Sequence, residues 1–291
     1  MDISLRHLEI FIAIAKYKSI VKASEKLYLS QSAISMALSE LENKLGVKLF
    51  DRVGRRLVLN TYGEKLFIEA TEIIERIEEI KKNFSKKEVL GKIIIGGTQT
   101  IGNYVLPEII ANFKKNYENV EIFLEIGNTE KIVEKLLNFE IDVAFVEGIV
   151  MNNNLESIKW IDDEIVVFTN INDKILKKKK VTIKDLEKAK WILREKGSGT
   201  REIFEKTIFS KVKNFNIYLE ANQIKAIKKL VASGAGWGAL SKKTLIDDIE
   251  FNKLKILNLP FKIKREFKIL IHKKKYRTEI LKKFLEFAKC F

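Results

Sequence analysis

Apolar positions in the first sixty residues recur at helical spacing. Leu5, Leu8, Phe11, Ile12 and Ala15 form one stripe, and Ile20 to Leu27 a second, shorter helical segment. A third helix is expected from about Ser30, where Ile34, Leu38, Leu41 and Leu45 follow at intervals of four, three and four, and Gly46 ends it. The link Leu27-Tyr28-Leu29 is apolar and has neither Gly nor Pro, which suggests a link packed between two helices. Next, Leu49-Phe50 and Leu57-Val58-Leu59 flank Arg52-Val53-Gly54-Arg55-Arg56, the pattern of a β-hairpin with a basic tip.

Residues 61–88 read as one long helix. Asn60 or Thr61 can cap it, and Thr61-Tyr62-Gly63-Glu64 fits a capping box. Leu66, Ala70, Ile73, Ile77, Ile80 and Phe84 alternate spacings of four and three, a heptad seam on a highly charged helix. A helix lying on a neighbouring domain would also carry such a stripe. Its narrowness suits a coiled-coil partner, hence self-association as a dimer or tetramer. Lysine-rich residues 81–88 form the linker that follows.

From residue 91 onward the pattern alternates between strands and helices. Strands are predicted at Lys92–Gly96, Val120–Gly127, Asp142–Val146, Ile165–Thr169, Trp191–Arg194, Ile217–Glu220, Trp237–Leu240 and Phe267–Ile271. Helices are predicted at Gly102–Tyr117, Glu130–Phe139, Arg201–Val212, Gln223–Ala232 and Thr278–Ala288. This alternation implies mostly parallel sheets and a two-lobed α/β architecture. Lobe I spans about 91–162 with 267–291, and lobe II about 163–266.

The chain has 291 residues and a net charge of +15, which favours an anionic partner. Little of that charge marks a site. Residues 1–60 hold ten Lys and Arg against six Asp and Glu, a surplus of four, and Lys177–Lys180 suits a solvated loop. No apolar run approaches a membrane span, the N-terminus has no export pattern, and Cys290 is the only cysteine. A cytoplasmic protein is the expectation.

On a helical wheel, Ile34, Leu38, Leu41 and Leu45 cluster within about 60°. Ser32, Met36, Ser39 and Asn43 fall opposite them, with Gln31 and Ser35 on one flank. A helix whose stripe docks inward and whose start is small, polar and uncharged suits base edges in a major groove. Arg52, Arg55 and Arg56 would hold phosphates. The rival is a helical hairpin with an ordinary solvated face.

The residues Leu5, Leu8, Phe11, Ser19, Ala23, Leu27, Ser30-Gln31-Ser32-Ala33-Ile34-Ser35, Leu41-Glu42, Leu45-Gly46, Leu49-Phe50, Arg52 and Gly63 follow a known order and spacing. The chain resembles the LysR-type transcriptional regulators over nearly its full length. Ser24 and Asn60 depart from the usual Ala and Thr, and both are compatible replacements. The resemblance implies an N-terminal winged helix-turn-helix (1–60), a linker helix forming the dimer seam (61–88) and an effector domain resembling periplasmic binding proteins (91–291). Ser30 opens the reading helix, Gln31, Ser32, Ser35 and Met36 match base-contacting positions, and the three arginines match the wing. Double-stranded promoter DNA with a dyad site is the implied partner, and RNA polymerase a candidate one. With Gly127-Asn128-Thr129-Glu130-Lys131-Ile132-Val133 and Phe145-Val146-Glu147-Gly148, the effector half is similar to the CysL/CbbR-like subgroup, whose members regulate sulfur assimilation or carbon fixation.

In that half, Lys196-Gly197-Ser198-Gly199-Thr200-Arg201 joins a strand to a helix. Tight glycine turns, hydroxyls, helix-start amides and a guanidinium make an anion cradle. A plain glycine turn before a capped helix is the alternative. Gly96-Gly97-Thr98-Gln99-Thr100-Ile101-Gly102-Asn103 likewise links a strand end to a helix start in the first lobe, and Gly127-Asn128-Thr129 and Glu147-Gly148 end further strands. Relatives contact effectors at positions matching Thr98, Thr100 and Ser198–Thr200. A small anionic metabolite is therefore expected and no other cofactor. The two histidines, His7 and His272, are far apart, and no metal-ligand spacing occurs, so an enzyme is not expected. Trp160, Trp191 and Trp237 suit core packing. The competing functions are a ligand-independent DNA-binding regulator and a cytoplasmic solute-binding protein.

Overall fold

A computed structural model describes residues 3–53, 56–84 and 91–291, with side chains for 3–52, 57–81 and 91–291. They form two compact units, Met1–Gly91 with Lys274–Lys282, and Lys92–Lys273 with Lys283–Phe291. No helix among the described residues is long and apolar enough to cross a membrane.

The first unit begins with α1 (Leu5–Tyr17), α2 (Ile20–Leu27) and α3 (Gln31–Leu45). Each starts at a serine whose hydroxyl accepts a backbone N–H: Ser4, Ser19 and Ser30. At α1, His7 Nδ1 also accepts the Ser4 N–H at 3.1 Å, closing a capping box. The turns after α1 and α2 are made by left-handed residues that are not glycine, Lys18 (φ 52°) and Tyr28 (φ 54°). Here the apolar link departs from expectation. Leu27 and Leu29 pack against the core of Ile10, Ile14, Ala23 and Ile34. Tyr28 is 94 % exposed, because the left-handed turn throws its side chain outward.

Strands β1 (Phe50–Val53) and β2 (Arg56–Leu59) pair antiparallel from Phe50↔Leu59 to Val53↔Arg56. Glu42, buried on α3, accepts the Leu49 N–H at 2.9 Å and Lys48 Nζ at 2.7 Å, tying α3 to the hairpin's base. The Phe11 ring lies 5.5 Å from Phe50 and 6.5 Å from Phe67, so α1 packs on both the hairpin and α4 (Thr61–Phe84). Asn60, not Thr61, caps α4. Its Oδ1 accepts the Gly63 N–H at 2.9 Å and its Nδ2 donates to Lys48 O at 2.8 Å. The Thr61–Glu64 capping box does not form, because the third helical residue after the cap is Gly63. Gly63 is required there, since a Cβ would lie 2.1 Å from Leu49 O.

The heptad seam of α4 is divided. Ala70 is fully buried in the turn that carries Phe67, so it is not on an exposed seam. Ile73 and Ile80 stand exposed, with Leu66 and Ile77 half-buried. The Phe84 side chain lies outside the described residues. Residues 274–282, which the sequence pattern groups with lobe I, belong to this unit: Lys275 pairs with Glu75, and Tyr276 Oη donates to Glu79 at 2.7 Å.

The second unit is built on β3 (Gly91–Thr98), β4 (Val120–Gly127), β5 (Val143–Glu147), β6 (Leu155–Asn170), β7 (Lys190–Arg194), β8 (Asn216–Ala221), β9 (Trp237–Ser241), β10 (Leu254–Ile256) and β11 (Ile263–His272). Its helices are α5 (Gln99–Tyr104), α6 (Leu106–Asn116), α7 (Thr129–Leu137), α8 (Ile183–Lys188), α9 (Gly199–Phe209), α10 (Ile224–Ala232), α11 (Ile246–Glu250) and, from Lys283 onward, α12 (Glu279–Lys289). The sheet runs β4-β3-β5-β11-β6-β9-β7-β8, with β10 on β6. Parallel pairs at β3/β5, β7/β8 and β7/β9 flank a long antiparallel ribbon of β6 and β11. The sheet is thus mixed rather than mostly parallel, because the two strands that run between the lobes pass in opposite directions. Their register shifts between Glu266 and Lys268, where Trp160 and Ile161 oppose Phe267 alone. The helix expected over Gly102–Tyr117 is two helices, broken at Val105 ahead of Pro107. Trp191 and Trp237 are buried in the lobe II core, and Trp160 Nε1 donates to Ala288 O at 2.7 Å.

Glu42→Ala leaves the buried Leu49 N–H without its acceptor. It should cost about 1–3 kcal/mol, measured by urea unfolding of the full chain, and Glu42→Gln should cost less.

Candidate nucleic-acid interface and effector cleft

The N-terminal candidate site is the start of α3. Ser30 Oγ accepts the Ala33 N–H at 3.2 Å and lies 2.9 Å from Ser32 Oγ, so its hydroxyl is engaged in capping. Gln31, Ser32, Ala33, Ser35 and Met36 are all exposed, while Ile34 and Leu41 are fully buried on the other side. The helix therefore shows small polar groups and one thioether at its N-terminal end. Arg52 is exposed on β1. Arg56 pairs with Val53 in β2, but its side chain and all of Arg55 lie outside the described residues.

The second candidate site is where the lobes of the second unit meet. Thr98 and Thr100 lie at the start of α5, Thr129 at the start of α7, and Ser198, Gly199 and Thr200 at the start of α9, all buried. Thr129 Oγ1 donates to Glu147 O at 2.8 Å and accepts the Gly199 N–H at 3.1 Å, joining the lobes. A Cβ on Gly199 would lie 2.1 Å from Glu147 O, and one on Gly148 (φ 112°) would lie 2.9 Å from Gly199 Cα. Glycine at both positions allows backbone to touch backbone. Asn128 is the cap of α7, its Oδ1 accepting the Lys131 N–H at 2.9 Å.

Arg201 does not complete the cradle. Its guanidinium donates to Glu205 at 2.7 Å, to Arg194 O at 3.0 Å and to Glu220, so internal acceptors take up the charge expected to face an anion. Burial works against its charged form, and these carboxylates outweigh that and raise its pKa. The cation that does reach the cleft is Arg265, on β11. Its Nε donates to Asp163 at 2.6 Å, and its Nη1 donates to Thr200 Oγ1 at 2.8 Å and lies 3.9 Å from Glu147. Asp163 also accepts from Ser241 Oγ at 2.8 Å. Thr98 donates to one Glu147 oxygen, and Thr200 Oγ1 lies 3.3 Å from the other.

Glu147, Asp163 and Arg265 are site residues that sequence reasoning misses. Glu147 opens the loop Glu147-Gly148, yet a carboxylate does not suggest itself where an anion is expected. Arg265 sits in a lysine-rich stretch, and nothing in a single sequence marks it as buried. Beside this core runs a groove of about 540 Å³ with Thr129, Ile149, Met151, Gly197 and Ser198 in its walls. A larger groove, about 930 Å³, follows the ribbon past Asp163, Lys206, Lys243 and Lys264, and includes none of the cleft hydroxyls of Thr98, Thr100 or Thr200. Among the described residues no three His, Cys, Asp or Glu side chains gather as a metal site.

A winged helix-turn-helix joined to a two-lobed domain with a hydroxyl-lined cleft defines a ligand-responsive class of transcriptional regulator. The chain belongs to the LysR family. Residues 5–64 match the bacterial regulatory helix-turn-helix protein model of that family, and residues 86–290 match the LysR substrate binding domain. It is 38 % identical over 289 residues to the HTH-type transcriptional regulator YeiE of Escherichia coli K12, covering 99 % of this chain and 98 % of that protein. A full-length OxyR variant from Pseudomonas aeruginosa shares the fold, at 18 % identity and a TM-score of 0.74 over 99 % of this chain and 95 % of OxyR. The regulatory domain of Synechocystis PCC6803 CcmR, solved in complex with 2-PG, is 27 % identical with a TM-score of 0.65, covering 69 % of this chain and 96 % of that domain. These relatives are regulators rather than enzymes.

Arg265→Leu leaves Asp163 and Glu147 buried without their counter-charge. The variant should lose about 3–5 kcal/mol of stability, measured by denaturant unfolding against wild type.

Proposed function

We propose that this regulator reads a dyad operator with the start of α3 and responds to a small anion bound between the lobes of its second unit. The carrying observation for DNA is the exposed, uncharged face of Gln31, Ser32, Ser35 and Met36 on a helix anchored by Ile34 and Leu41. Gln can pair bidentately with adenine, and Ser with any base. Arg52, with Arg55 and Arg56, supplies phosphate contacts that fix the register. This role places the protein in the cytoplasm, on promoter DNA.

For the effector, the support is that Thr98, Thr200 and Arg265 meet around Glu147 where the lobes join, with the buried hydroxyls of Thr100 and Ser198 at the same two helix starts. The bound small molecule in the related CcmR domain agrees with this. An effector touching both lobes shifts the balance between lobe arrangements, and the regulatory signal is that shift. Ile73 and Ile80, exposed on α4, are the face on which a second copy packs. A dyad operator then matches a two-fold dimer.

Gln31→Ala should weaken binding to the cognate operator by about 1–3 kcal/mol and relax preference at one base pair, read by fluorescence anisotropy on operator variants. Uniform weakening on every sequence would remove Gln31 from the base-reading set. Ile73→Glu with Ile80→Glu should shift the protein toward monomer in sedimentation velocity. An unchanged oligomer would place the dimer contact elsewhere.

A further inference from the structure

We propose that the groove along the β6–β11 ribbon is a second binding site, and that its ligand is an organic polyphosphate: an apolar body carrying several negative charges. The groove measures about 930 Å³, a size typical of small-molecule sites. Its walls include none of Thr98, Thr100, Ser198 or Thr200, so the site does not depend on the reading of the cleft.

Charge selects the ligand. Eight cationic side chains and four carboxylates lie in the walls. Three of the carboxylates are used by two of the cations: Arg265 holds Asp163, and Lys159 holds both Asp162 and Glu266, at 3.1 and 2.7 Å. Lys206, Lys242, Lys243, Lys262, Lys264 and Lys268 make no ion pair among the described residues. Lys268 also lies directly opposite Lys159 across the ribbon, where like charges are unfavourable. Unpaired cations around a concave surface repel one another and focus a positive potential there. A polyanion relieves that repulsion, and a single small anion meets only part of it. Lysine ammonium groups are compact charges that suit phosphate. The buried Arg265 in the same wall keeps Nη2 without a hydrogen-bond partner, a donor left over once Asp163 and Thr200 are served.

The walls also define what the phosphates are attached to. Ile149, Ile203 and Ile246 lie among the lysines, and Ile149 and Ile246 are 39 % and 55 % exposed. An inorganic chain, charged along its whole length, would leave these side chains against its hydration shell. An organic body covers them and removes apolar area from water. The site reaches the interior through Ser241, whose Oγ donates to Asp163 at 2.8 Å and accepts the Lys243 N–H at 3.2 Å. Lys264 adjoins Arg265 in β11. A ligand held by Lys243 and Lys264 braces the buried Asp163–Arg265 pair from outside, so its binding stabilises the fold.

The test is isothermal titration of the full-length chain with ATP, tripolyphosphate and AMP, without divalent metal and against a sodium chloride control. Thermal unfolding is followed in the same buffers. Wild type is compared with Lys242→Gln/Lys243→Gln and with Ile246→Ser. A further pair, Lys179→Gln/Lys180→Gln, removes as much charge from exposed positions outside the groove. ATP should bind wild type and raise its unfolding midpoint, and AMP should do neither. Lys242→Gln/Lys243→Gln should weaken ATP and tripolyphosphate by about tenfold or more, while the pair outside the groove leaves both unchanged. Ile246→Ser should weaken ATP and not tripolyphosphate. Wild type that binds neither ATP nor tripolyphosphate overturns the proposal, as does an equal loss of affinity in the two lysine pairs. AMP binding as tight as that of ATP overturns the polyanion, and tripolyphosphate binding as tight as that of ATP overturns the organic body. Ser198→Ala, in the cleft, should leave ATP binding unchanged. Loss of ATP binding in that variant would put the ligand in the cleft and overturn the second site.

Discussion

Two carboxylates and one guanidinium are buried together where β6 and β11 pass from one lobe to the other. Burying charge is expensive unless each group is paired and hydrogen-bonded. Asp163 meets that condition through Arg265 and Ser241, and Arg265 Nε and Nη1 through Asp163 and Thr200. Such bonds are directional, so they specify where the ribbon lies against β9 and α9 more sharply than apolar packing does. The starts of α5, α7 and α9 then converge around this fixed point, and with them the hydroxyls of the cleft.

The first unit solves a different problem with weaker interactions. The α3 helix leaves one face unpacked, so it can be held only from behind and from its ends. Ile34 and Leu41 hold it from behind, Ser30 caps its start, and Glu42 ties its far end to the hairpin. The uncharged side chains of the open face are then free to move without a salt bridge to break. Cations are placed on the neighbouring hairpin, where geometry is less demanding.

Much of this was legible in the chain itself, because the helical period and the serine caps are local signals. The stripe Ile34–Leu45 and the motif around Gln31 identify α3 and its exposed face, and the β-branched runs identify most strands. The failures share a cause: each depends on residues distant in sequence. The first half of β6, Leu155–Asp163, mixes polar and apolar residues with neither strict alternation nor a continuous apolar run, so only Ile165–Thr169 reads as a strand in the sequence. The break at Val105 needed Pro107 to be weighed against a good helical pattern. Arg201 was a reasonable cation for the cleft until Glu205 and Glu220 claimed it. Arg265 could not be told from the surrounding lysines by any local feature. Tyr28 looked like core by its hydrophobicity, but backbone handedness decided its direction.

The extra residue in β6 has a consequence for how the chain can change. From Glu156 to Trp160 the even-numbered side chains of β6 are the more sheltered, at Asp163 and Glu164 it is the odd-numbered one, and from Ile165 to Thr169 both faces are buried, Ile165 and Val167 in one core of lobe II and Val166 and Phe168 in another. The strand is in effect two strands half a period out of phase, spliced at Trp160-Ile161. Deleting one residue there would leave length and composition almost untouched, yet would turn Ile165 and Val167 into the core that Val166 and Phe168 now fill, and those two into theirs, misfitting both cores of lobe II at once. Single-residue insertions and deletions are ordinarily tolerated at loop tips. Here the interior of a strand behaves as a reading frame written in three dimensions, in which either two changes compensate or the second lobe is lost.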